Sequence, residues 1–200
     1  MTLRARRGLS GVACLATMSA LSLAFAAKEA RADDTIRTPG DHPIYRFEAE
    51  PHVIWGWDRF DSGGIGIGGR FSFPILDNGF VSTINNSVAI TVGFDWVHYT
   101  GACFVVGCLV GGNVDYIYIP VAMQWNFYVA KHWSVFGEPG LAIVHGFYND
   151  FACHGLAGCG GYNFPLDLVL YLGGRYHINN HFTAIARIGY PDFTFGVSFM

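Results

Sequence analysis

From Tyr45 to the end of the chain, apolar and polar positions alternate with a period of two in eight runs separated by turn-forming residues. That period is the mark of β-strands with two unlike faces. One face carries Val53, Trp55 and Trp57, then Ile65, Ile67, Phe71 and Phe73, then Val92, Phe94 and Trp96, and continues in this way to Phe193, Phe195, Val197 and Phe199. All five tryptophans fall on it. The opposite face is rich in Gly, Ala, Ser and Thr, and it takes every charge within the runs: Arg46, Glu48, Glu50, Arg70, Asp95, Glu138, Asp167, Arg175 and Arg187. The pattern predicts an all-β fold, an eight-stranded antiparallel up-and-down barrel.

Which face points outward decides what kind of protein this is. The interior of an eight-strand barrel is only wide enough for side chains or one small ligand. A face crowded with Trp, Phe, Leu and Ile is too bulky for it, whereas small residues with paired charges fit. The apolar face therefore belongs in lipid, which makes the fold a transmembrane β-barrel. Runs of about ten residues are the length a tilted strand needs to cross the hydrocarbon. Aromatics also gather at run ends. Trp55, Trp57, Trp96, Tyr99, Phe147, Tyr190 and Phe193 fall near one interface, and Phe71, Phe73, Trp125, Phe127, Tyr128, Trp133, Tyr176, Phe182 and Phe199 near the other, as two girdles.

Composition narrows the function classes. With 52% hydrophobic, 16% aromatic and 14% charged residues the chain is no disordered segment, and its 26 glycines have no collagen period. Twelve basic against 15 acidic residues, unclustered, leave no nucleic-acid surface. Arg4, Arg6 and Arg7, the uncharged stretch Gly8 to Ala27 and an Ala-Arg-Ala at Ala30 to Ala32 read as a secretory signal over 1–32. Residues 33–43 then form a periplasmic N-terminal segment and 44–200 the barrel. Without the signal, 7 basic and 14 acidic groups leave a formal charge of −7.

An even number of strands puts both ends of the chain on the periplasmic side. The connections 58–63, 100–115, 146–163 and 189–192 then face outward, and 75–87, 128–132 and 177–180 face the periplasm. Pro51, Pro120, Pro139 and Pro165 lie in or beside runs and predict bulges.

The final Phe193-Thr194-Phe195-Gly196-Val197-Ser198-Phe199-Met200, with the architecture of 44–200, resembles the small eight-stranded outer-membrane barrels of the OmpA and OmpX type. The resemblance implies a Gram-negative outer-membrane location and an insertion signal at Phe195, Val197 and Phe199, read by the barrel-insertion machinery. Members usually end on the aromatic residue; here Phe199 is penultimate.

Candidate chemistry is sparse. The inward charges suit a structural salt-bridge network. Cys103 and Cys108, and Cys153 and Cys159, lie in the two longest outward loops of an exported chain and are disulfide candidates, with pairing left open. Convergence of all four on a metal has poor spacing. His132-Trp133-Ser134 with Glu138 is reminiscent of a lipid A deacylase set, but lies at the periplasmic end with Ser134 pointing inward. No nucleotide, hydrolase or metalloprotease motif occurs.

The expected protein is therefore not an enzyme and needs no cofactor or metal. It is a monomer in outer-membrane lipid that displays disulfide-stapled loops to an unknown surface partner. A narrow conduit for small or hydrophobic compounds and a soluble lipocalin-like binder are the alternatives.

Overall fold

The computed structural model describes residues 34–57, 63–102, 112–148 and 166–200. Eight strands follow in chain order: β1 (Glu48–Gly56), β2 (Gly64–Leu76), β3 (Asn86–Ala102), β4 (Gly112–Ala130), β5 (Trp133–Tyr148), β6 (Asp167–His177), β7 (Phe182–Tyr190) and β8 (Asp192–Phe199). Each pairs antiparallel with its neighbour in sequence, and β1 pairs with β8, so the sheet closes into a barrel. Closure removes both sheet edges, which a lipid environment with no water for unpaired backbone groups requires.

The in/out phase follows the alternation. Trp55, Ile65, Ile67, Phe94, Leu141, Leu170, Leu172 and Ile188 are exposed on the outer surface, whereas Glu48, Glu50, Arg70, Asp95, Glu138, Arg175 and Arg187 are buried inside. A lipocalin-like arrangement, with the bulky face inward, is not what the chain adopts. Two aromatics depart from the girdles. Tyr99 and Tyr128 share the parity of Asp95 and Gln124 on their strands, so they point inward and are buried. Position at a run's end did not outweigh parity.

The prolines do not produce the expected bulges. Pro51, Pro120 and Pro139 stay in register with Gly69, Ala142 and Leu170 on one neighbouring strand. On their other side the pairing lapses for two residues and resumes in the same register, between Ala49 and His52, Val92 and Asp95, and Ala122 and Trp125. A proline lacks one N–H, and that donor faces only one neighbour, so a gap suffices where a bulge was expected. The register shifts fall at Tyr99/Ala102 and Tyr128/Ala130, and at Pro74/Leu76, beside a proline for which no bulge was expected. Pro165 lies outside the described residues.

β3, β4 and β5 are longer than the sequence pattern indicated, running into the expected 100–115 and 146–163 connections. The connection after β2 folds over the barrel wall. Gly79 N–H donates to the Asn86 carbonyl at 2.9 Å, and the Asn86 amide donates to the carbonyls of Val81 and Ile84 at 2.7 and 2.8 Å. This covers Val88, which is fully buried although it faces outward.

Residues 34–47 form a strap beneath the barrel, opening with a 3₁₀ turn at Asp34–Arg37. Asn85 secures the strap. Its N–H donates to the Ile36 carbonyl at 2.8 Å, its side-chain amide donates to the Asp41 carbonyl at 2.7 Å, and its Oδ1 lies 2.6 Å from His42 Nδ1. His42 then stacks on Tyr128, centroids 4.3 Å apart and planes within 4°.

Candidate functional site: the filled barrel and its mouth

The interior has two layers of different chemistry. Alternation along β1, β2, β3, β5 and β7 delivers Glu50, His52, Arg70, Asp95, Glu138 and Arg187 to one level, where they form a ring of ion pairs. Arg70 bonds Glu138 through Nη1 and reaches Asp95 Oδ2 at 3.3 Å through Nη2. Arg187 donates from Nε to Glu138 Oε2 at 2.9 Å and from both terminal nitrogens to Glu50, the Nη2 bond at 2.7 Å. His52 Nε2 lies 2.9 Å from Asp95 Oδ1, and its Nδ1 comes within 3.7 Å of Glu50, closing the circuit. Thr91 adds a hydroxyl to Glu138 at 3.1 Å. Toward the strap, Arg175 pairs separately with Glu48 and donates to Asn126 at 3.3 Å.

Buried charges cost several kcal/mol each in desolvation unless paired and hydrogen-bonded, so the networks are a mutual solution: each ring arginine serves two carboxylates, and Arg175 serves a carboxylate and an amide.

Toward the loop end the chemistry changes. Tyr99, Tyr116, Tyr118 and Tyr171 pack with Ile54, Val97, Val114, Val144 and Val169 into one buried cluster. Tyr171 joins the two layers. Its ring lies under Arg70, 5.1 Å from the guanidinium carbon, and its hydroxyl donates to Asp192 at 2.8 Å.

Two of the charges assigned to the interior are elsewhere. Arg46 precedes β1 and is exposed, because strand pairing starts only at Glu48 and alternation has no force outside the sheet. Tyr45 takes the inward position beside Arg175 and Glu48, where burial pushes its hydroxyl above the ordinary phenol range. Asp167 keeps the inward phase but sits at the half-exposed start of β6, accepting from Tyr190 at 3.4 Å, away from the ring. His52, Thr91 and Asn126 complete the networks and were not among the charges assigned to the interior. Their shared parity with the ring residues was the available signal.

The His132, Ser134 and Glu138 trio is not assembled. Ser134 points inward and bonds His177 Nε2 at 3.0 Å, and His177 Nδ1 meets the Thr183 hydroxyl at 3.0 Å. His132 is exposed, with Nδ1 2.9 Å from the His177 carbonyl oxygen, and Glu138 belongs to the ring. Ser134 is wholly buried and no carboxylate orients its histidine partner, so this is a structural hydrogen-bond chain.

Cys103, Cys108, Cys153 and Cys159 lie outside the described residues. Among the described residues no three His, Cys, Asp or Glu side chains group so as to hold a metal, and no helix is long and apolar enough to cross a membrane. Phe195 and Phe199 face outward and are exposed, Val197 is half-buried, and Phe199 meets Phe182 edge-on with centroids 5.2 Å apart.

An apolar exterior around a closed sheet and an interior occupied by paired charges and tyrosines define a membrane-spanning β-barrel of the small, filled type. No family model and no curated protein matches the chain. Among solved structures it is similar to a de novo designed transmembrane β-barrel at 10% identity, covering 82% of this chain and 98% of that one with a TM-score of 0.45. It is also similar to the outer membrane protein Ail of Yersinia pestis in a phospholipid nanodisc, at 14% identity over 76% of this chain and 97% of that one, TM-score 0.40. The crystal structure of Ail with the heparin analogue sucrose octasulfate matches at 12% identity over 78% and 99%, TM-score 0.40.

Proposed function

We propose that the chain is a monomeric Gram-negative outer-membrane barrel, exported by the signal at 1–32 and inserted through its terminal strand, whose role is structural or interactive at the cell surface. The observation that carries this reading is the filled interior. Two stacked layers of fully buried side chains, the ion-pair ring and the tyrosine cluster, leave the outward loops as the part free to differ between functions. The same observation disfavours the conduit reading, in which solute would have to displace paired arginines. In the proposal the cysteine pairs staple the outward loops as disulfides, giving a surface partner a rigid epitope.

Membrane fractionation tests the location. The native chain should resist an alkaline wash of the outer membrane and migrate faster unboiled than boiled. Release into the soluble periplasm would overturn the proposal. Thiol alkylation of intact cells tests the staples: the four loop cysteines should react only after reduction, and reaction without reductant would remove the disulfides from the picture. Planar-bilayer recordings should show no steady conductance.

A further inference from the structure

At the mouth closed by the strap lies an open pocket of about 840 Å³. Three separate segments supply its polar rim: Arg46 from the strap, Lys131 and His132 from the β4–β5 turn, and Asn179 and His181 from the β6–β7 turn. Arg46, Lys131, His132 and His181 are all exposed. Among the described residues neither Arg46 nor Lys131 forms an ion pair, and the acids of the lining are the Asp41 side chain and the main-chain carboxylate of Met200, with which neither cation pairs. Every arginine inside the barrel is matched to carboxylates, whereas among the described residues the exposed cations Arg37, Arg46 and Lys131 form no ion pair, and two of these three meet at this pocket.

A second recess of about 350 Å³ lies on the lipid-facing wall where β5, β6, β7 and β8 run together. Gly174, Ala184 and Ala186 form its floor, and Trp133, Tyr176 and Phe195 its sides. The space above Gly174 is open, since a Cβ added there would meet nothing within 4 Å. The two recesses are joined by a run of tilted, adjoining rings. His132 of the polar pocket lies 6.1 Å from Tyr176, which lies 4.9 Å from Trp133.

We infer that the two recesses together bind one anionic glycerophospholipid, its phosphate against Arg46 and Lys131 and one acyl chain laid along the groove over Gly174. Charge complementarity names the occupant. A cationic pocket at the aromatic interface faces the level of the phosphates, and an apolar groove just inside that interface faces the level of the chains. Neither recess alone accounts for the other. The inference rests on the membrane-barrel reading and on the periplasmic placement of this mouth, which makes the lipid one of the inner leaflet.

The test uses the full chain recovered from membranes. Native mass spectrometry counts retained lipid after equal exposure to phosphatidylglycerol and phosphatidylcholine of the same chain length, and free glycerol phosphate serves as a soluble headgroup. The wild type should retain one phosphatidylglycerol in preference to phosphatidylcholine. R46Q and K131Q should each weaken that retention about fivefold. G174L fills the groove from the lipid side and should release the lipid while leaving any glycerol phosphate binding unchanged.

Equal retention of the two lipids, or full retention by R46Q/K131Q or by G174L, would overturn the site. So would glycerol phosphate competing as well as the whole lipid, which would make it a site for free phosphate. Gel mobility of the same samples separates the two levels of failure. A barrel that shifts on boiling but has no lipid preference refutes the site alone, and a chain that never shifts refutes the barrel reading and the site with it.

Discussion

The two layers of the barrel interior are built from the same alternation and held by opposite means. Near the strap, two arginines, three carboxylates and His52 share a ring in which every member depends on two others. Near the loops, tyrosines and valines pack with few directional demands, and the hydroxyl of Tyr171 is tied to Asp192. A ring of paired charges tolerates no missing member, because a removed partner leaves a charge stranded in low dielectric. A packed layer loses only the contacts and the one hydrogen bond deleted. The comparison teaches that burial by itself does not rank the residues of this interior; the number of partners that each deletion strands does.

The sharpest way to break the comparison is Glu138→Gln. Glu138 accepts from Arg70, Arg187 and Thr91, so the change weakens two buried guanidinium pairs at once. It should destabilise the barrel by about 3–5 kcal/mol in denaturant unfolding in lipid vesicles. A loss under about 1 kcal/mol would mean that water reaches the ring.

In the upper layer, Gly66→Ala should cost about 1–3 kcal/mol, because the added methyl collides with the Trp96 carbonyl, which is backbone and cannot swing aside. Tyr171→Phe, which leaves Asp192 without its donor but preserves packing, should cost about 1–3 kcal/mol. If the loss with Phe equals that of Glu138→Gln, the layers do not differ in kind.

A double-mutant cycle on Glu50 and Arg187 sharpens the point. Their coupling should fall within about 0.5–3 kcal/mol, while Glu50 paired with the distant Tyr116 should be additive within about 0.5 kcal/mol. The smallest effect belongs to the wall. Gly174→Ala adds a methyl into open space on the lipid face and should change stability by no more than about 0.5 kcal/mol.

The same two layers explain what was legible in advance. Glu48, Glu50, Arg70, Asp95, Glu138, Arg175 and Arg187 could be placed inside because their charge contrasts with the apolar residues beside them. In the upper layer that contrast fades. Val97, Tyr99, Val114 and Tyr116 face inward but are as apolar as their outward neighbours, so the pattern there resembled the start of a loop, and the ends of β3 and β4 were drawn short. Arg46 failed for the converse reason, since it sits in phase with the strand but before it begins. The Ser134–His177 bond joins β5 to β6 across 43 residues, and spacing in sequence carries no trace of it.

What the sequence alone determined is the two-faced alternation. Period two, bulk on one side and charge on the other leave only a closed barrel in lipid as a consistent solution, because the bulky side cannot fit within an eight-strand interior. What only the tertiary structure decided is who meets whom. Barrel closure and register bring Glu138 of β5 between Arg70 of β2 and Arg187 of β7, and set Gly174, Ala184 and Ala186 side by side below a cationic rim. Those meetings depend on strand tilt and on which N–H each proline withholds. These are properties of the closed sheet and of no single strand.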